Sequence, residues 1–209
     1  MCFDARTSIN AFFLSATGST LLLTSKTQTK RLFGLAFWVV ALVQLWEYFL
    51  WKDIAIEERN IMWSKIIHLT TLSVPIVGIN ILQKSGVIIN NKVMSFIVFF
   101  VTAIMLISIA TQLINAKPTK INKNGNLEWQ YYRPPVITGL SRLVYVFTLC
   151  LSPLLLKNKR AGITFASAGI ITAFMSEIKS KLSSSPGFVS SLWCYTASII
   201  PILSFILVP

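Results

Sequence analysis

Seven runs of about 20 mostly apolar residues follow one another along the 209-residue chain, at roughly 8–25, 32–51, 62–82, 93–114, 135–156, 162–178 and 188–208. A segment that crosses lipid must satisfy its backbone hydrogen bonds internally, so this repeat predicts an all-α fold, a seven-helix transmembrane bundle. Residues 1–209 read as a single transmembrane domain with no separate soluble unit, tandem repeat or low-complexity segment. Composition agrees, with 54% hydrophobic residues, 12% charged ones and a mean hydropathy of +0.68.

The first and sixth runs are rich in small residues. Ala11, Ser15 and Ser19 form one stripe and Gly162, Ala166, Gly169 and Ala173 another, a pattern that fits close helix packing. Lys, Ser, Gly, Asn and Pro punctuate the breaks. The longest break, Lys117 to Pro134, ends in the aromatic cluster Trp129-Gln130-Tyr131-Tyr132, which reads as interfacial. The N-terminal segment reads as a retained first helix rather than a cleaved signal peptide.

Nineteen Lys and Arg against seven Asp and Glu leave a net charge of +12. In a soluble protein that balance would suggest nucleic acid. Here the cations mostly fall between apolar runs, where they suit lipid headgroups and loop orientation, so nucleic acid is excluded as a partner. The odd-numbered loops carry Lys26, Lys30, Arg31, Lys84, Lys92, Lys157, Lys159 and Arg160 with no acid. Their compactness places the N-terminus outside and the C-terminus inside an integral, multi-pass protein. The lipid bilayer is its first partner, with a small ion or solute and further copies in a homo-oligomer as the other expected ones.

Glu47 interrupts the apolar run Val39–Trp51. An ionisable residue inside a membrane costs about 2.5–3.5 kcal/mol on insertion scales and normally faces a partner or water. Seven alternating spans would bring Glu47, the lone histidine His68, Arg142, Glu177 and Cys194 to the N-terminal side of the bundle, with Cys2 and Asp4. Gln44, Glu47 and Trp51 share one helix face; Ser64, His68, Thr71 and Pro75 share another. Pro75 also frees the carbonyl of Thr71. Thr138, Arg142 and Tyr145 on span five, and Ser191, Cys194 and Ser198 on span seven, are expected to turn inward.

Glu47 is therefore expected to meet His68, Arg142 or water, either locking helices together or forming a polar site with Gln44. His68 is a packing residue or the proton-responsive group, since an unperturbed imidazole titrates near pH 6.5. Arg142 is an ion-pair partner or an anion ligand.

Cys2, Cys150 and Cys194 are odd in number and form no CxxC pair, which argues against a disulfide framework. Cys2, Cys194 and His68 could instead ligate a transition metal or haem, the amine and thiol of Cys2 chelating together if Met1 is removed. Buried cysteines as small apolar residues are the plainer alternative. No HExxH, GxSxG, Walker loop or GxGxxG is present.

The opening Met1-Cys2-Phe3, the pattern Gln44-x-x-Glu47-x-x-x-Trp51 and the late Ser191-x-Trp193-Cys194 resemble a poorly characterised family of small multispanning membrane proteins whose chains begin Met-Cys-Phe-Ser-Ala. The likeness covers both ends and the second span, and departs at Asp4, where the family pattern has Ser. It implies a multi-helix membrane protein with Cys2, Glu47, Trp193 and Cys194 at its marked positions, and no particular activity. Three function classes follow: a channel or transporter for a small ion or solute, with Pro75, Pro153 and Pro201 as bends; a metal- or haem-binding sensor or enzyme with Glu47 beside the ligands; and a non-catalytic membrane scaffold.

Overall fold

The computed structural model describes residues 4–121, 127–128, 134–182 and 198–206. Over these the chain is all-α apart from one two-residue ladder. The helices are α1 (Ala5–Leu23), α2 (Gln28–Lys52), α3 (Glu57–Lys84), α4 (Asn91–Ile114), α5 (Pro135–Val146) and α6 (Lys159–Leu182). A further helical stretch, 198–206, is α7. Among the described residues, four segments are long and apolar enough to cross a membrane, namely Gln28–Lys52, Glu57–Lys84, Asn91–Ile114 and Val136–Leu155. The chain is thus an all-α membrane protein.

Several helices outrun their apolar segments because backbone hydrogen bonding continues into polar first turns. Asp4 begins α1, its carboxylate accepting from the Thr7 amide at 2.6 Å. Aspartate is among the preferred N-caps. Asn90 caps α4 in the same way through the Lys92 amide at 2.8 Å.

The expected run 135–156 is helical but not uniform. After α5 the chain makes a π-helical segment, Phe147–Leu151, closed by the Ser152 amide on the Phe147 carbonyl, then a 3₁₀ turn, Ser152–Leu155. Pro153 prevents a regular helical ladder through this stretch.

Short turns set α1 to α4 antiparallel in sequence. The larger apolar core lies toward the side where α2, α4 and α6 begin, with Phe33 stacked on Phe165 at 3.9 Å and Met94, Val101, Leu82 and Leu156 around them. A backbone tie holds two turns together there, since the Ile88 amide donates to Leu155 at 2.9 Å and the Lys157 amide to Gly86 at 3.1 Å. Gly86 sits at φ +85°, a conformation in which a side chain would be strained.

The two stripes of small residues are packing surfaces, as far as they are described. Ala11, Ser15 and Ser19 are buried, and so are Gly162 and Ala166. A Cβ on Gly18 would lie 2.8 Å from the Ile202 amide nitrogen, which places α1 directly against α7. The Lys30 ammonium of α2 donates to the Phe205 carbonyl at 3.3 Å, a cation at the end of α7 where a helix exposes carbonyls.

Candidate functional site

Polar side chains collect in the other half of the bundle. On α2, Gln44 and Glu47 point inward and Glu47 is only 2% exposed. On α3, Asn60, Ser64 and His68 repeat every four residues, one face of the helix, and all are buried, His68 at 2%. α4 adds Ser108 and Gln112, and α5 adds Ser141. Gln44, Glu47, His68 and Gln112 each take part in a polar, ring or electrostatic interaction.

The segment after α4 packs against this half of the bundle. Thr119 is buried and joined to α3 by three contacts: its amide donates to Asn60 Oδ1 at 2.7 Å, and its carbonyl accepts from Asn60 Nδ2 at 2.9 Å. Its hydroxyl meets Ser64 Oγ at 2.7 Å, and Ser64 in turn reaches Asn60 Oδ1 at 3.2 Å. The chain then forms a ladder of Lys120 opposite Glu128 and Ile121 opposite Leu127. Leu127 is buried against Val43, Leu50 and Ile67, with Trp46, Trp51 and Trp63 beside them. Leu127 thus packs on α2 and α3, the two helices that carry Gln44, Glu47 and His68.

An aromatic cluster stands on α2 and α3 at the same end. Trp63 stacks on Phe49 at 5.0 Å and on Trp46 at 5.9 Å. Its indole N–H donates to Asp53 at 2.8 Å. Asp53 also pairs with Arg59 at 3.5 Å. Arg59 is 62% exposed, so this pair contributes little on its own.

Deeper in, the carbonyl that Pro75 frees on Thr71 accepts from the Tyr145 hydroxyl at 3.3 Å. Ser108 and Ser141 meet at 2.7 Å between α4 and α5.

The inward turn expected of Arg142 does not occur: Arg142 is exposed, whereas its neighbour Ser141 is buried. One residue is 100° on a helix, and the positions of this segment that face the bundle are Ser141, Val144 and Thr148. Arg142 lies about 10 Å along α5 from its start, within reach of the headgroups for a long side chain that keeps its charge in water. Thr138 bonds back to the Pro134 carbonyl within its own turn at 3.2 Å.

Asn60, Thr119 and Ser141 were not anticipated as site residues. The spacing Asn60-x-x-x-Ser64-x-x-x-His68 is the signal that could have found the first. Cys2 and Cys194 lie outside the described residues, as do Trp193 and Ser191. Among the described residues no three His, Cys, Asp or Glu stand close enough to hold a metal ion. Of the expected ligand set, only His68 is therefore placed.

Comparison with protein-family models, with curated proteins and with solved structures yields no match.

Proposed function

We propose that this chain is a seven-span membrane protein, N-terminus outside and C-terminus inside, that passes a small ion or polar solute through the half of the bundle where Glu47 and His68 lie. The observation that carries the reading is the burial of both ionisable side chains to 2% exposure, on the inward faces of two helices able to cross a membrane. Such residues are costly in lipid and are typical of ion paths and proton relays. Gln44, Ser64 and Gln112 supply hydrogen-bonding groups in the same half. Thr119 and Leu127 are packed on α2 and α3 at one end and the Phe33–Phe165 core fills the other, so this arrangement fits an occluded carrier better than an open pore. Pro75 and the π segment before Pro153 are the natural bends for opening it.

Proteoliposomes loaded with a pH-sensitive dye and driven by a potassium diffusion potential test the reading, with protons as the probe. Proton entry above that of empty liposomes is expected, falling at least about ten-fold in Glu47→Gln and His68→Ala and unchanged in Glu57→Gln, whose side chain is exposed. Wild-type entry no faster than in empty liposomes, or a Glu47→Gln rate equal to wild type, would sink it.

Sidedness tests the topology. In a background of Cys150→Ala and Cys194→Ala, an impermeant maleimide is expected to label Cys2 from the same side as a Lys120→Cys reporter. In a Cys2→Ser version of that background, Val208→Cys is expected to label from the opposite side. Labelling of Cys2 and Val208→Cys from one side is incompatible with seven spans.

A further inference from the structure

The two ends of the bundle differ in charge. At the end where α2, α4 and α6 begin, the three turns formed by residues 24–31, 84–92 and 156–160 contain eight Lys and Arg and no Asp or Glu. The backbone tie between Gly86 and Lys157 sets two of these turns side by side, which gathers Lys84, Lys92 and Lys157 on one surface, all exposed. Like charges brought together in this way repel, and within the three turns no acid offsets them.

The helix starts sharpen the contrast. At the opposite end α1 is capped by Asp4, and α3 opens with Glu57 and Glu58, the sign that the positive end of a helix dipole favours. α2, α4 and α6 have no acid in their first turns; Lys30, Lys92 and Lys159 stand there instead. Three dipole ends and a cluster of cations thus share one face.

We infer that this face seats the phosphates of anionic lipid headgroups, with a preferred position between the α3–α4 and α5–α6 turns. Exposed Ile88 and Leu154 flank those turns at 54% and 44%, an apolar border that suits an acyl chain and would not suit a soluble anion. Surface Lys and Arg at this level of a bilayer attract acidic lipids. The inference needs only that the helices cross a membrane; it is independent of what the polar half carries.

Native mass spectrometry tests it on the full-length protein in detergent, mixed with equal amounts of phosphatidylglycerol and phosphatidylcholine of matched chains. Phosphatidylglycerol is expected to be retained at least about five-fold more often, and Lys84→Gln/Lys157→Gln to cut that retention on the order of ten-fold. Lys117→Gln/Lys120→Gln, at the opposite end, is expected to leave it unchanged. Circular dichroism establishes that both variants stay helical. Because a folding defect could mimic the loss, wild-type retention is also followed with rising ammonium acetate, which should displace phosphatidylglycerol selectively. Equal retention of the two lipids, equal loss in both double variants, or a preference that ignores salt would each overturn the inference.

Discussion

Asn60→Ala is expected to destabilise the detergent-solubilised protein by about 2–4 kcal/mol, with the loss read as a lowered unfolding midpoint. The Asn60 carboxamide uses both donors and its acceptor oxygen twice. It donates to the Ile54 carbonyl and the Thr119 carbonyl, both at 2.9 Å, and accepts from the Thr119 amide at 2.7 Å and Ser64 at 3.2 Å. An alanine would leave two carbonyls and an amide without that partner, in a site that is 3% exposed. Hydrogen bonds inside membrane proteins average about 0.6 kcal/mol and those in soluble proteins about 1 kcal/mol; four of either give the quoted range. Asn60→Asp should do no better, because it sets a carboxylate oxygen against two carbonyls. Asn80→Ala is the comparison, since the Asn80 amide bonds only the Ile76 carbonyl of its own helix, at 2.8 Å. Equal midpoints for Asn60→Ala and Asn80→Ala would show that the Thr119 segment is not held by this network.

Gly169→Val should be at least as damaging, at about 3 kcal/mol or more, and Gly162→Val close behind. A Cβ on Gly162 would stand 2.6 Å from the Pro153 carbonyl oxygen, and one on Gly169 would press on the Leu149 carbonyl oxygen. Both obstacles are backbone atoms of the π and 3₁₀ segment, so no rotamer change relieves the clash. α6 would have to move away from the segment it packs against. Gly139→Ala is the control: a Cβ there meets nothing within 4 Å, and alanine in a helix is expected to be neutral or to add up to about 1 kcal/mol. If thermal unfolding showed Gly169→Val and Gly139→Ala to be alike, the close approach of α6 to the π segment would be wrong.

Local periodicity accounts for much of what could be read before the structure. Apolar runs located the helices, and three-and-four spacing put Gln44 with Glu47 and Ser64 with His68 on buried faces. The freed carbonyl at Thr71 was legible from Pro75 alone. What periodicity cannot express is a contact between distant segments. Thr119 meets a residue 59 positions earlier, and Leu127 fills a gap among α2 and α3 side chains, so the segment after α4 looked only interfacial. The π segment was equally hidden, because Phe147-Thr-Leu-Cys-Leu151 has the composition of ordinary membrane helix. Arg142 misled for a different reason. A rule that turns every charge inward overlooks how far an arginine can extend toward the headgroups.

The bond from Tyr145 to Thr71 has a consequence for the order of assembly. During synthesis α3 enters the bilayer with the carbonyl opposite Pro75 lacking its helical partner, and the first four helices do not supply the Tyr145 hydroxyl that serves it. That donor arrives 74 residues later, on α5. Until then the Thr71 carbonyl is left without that donor, although Asn60 and Ser64 on the same helix already have Thr119 as a partner. The helix that carries His68 is therefore completed only when a later part of the chain has been made and inserted beside it.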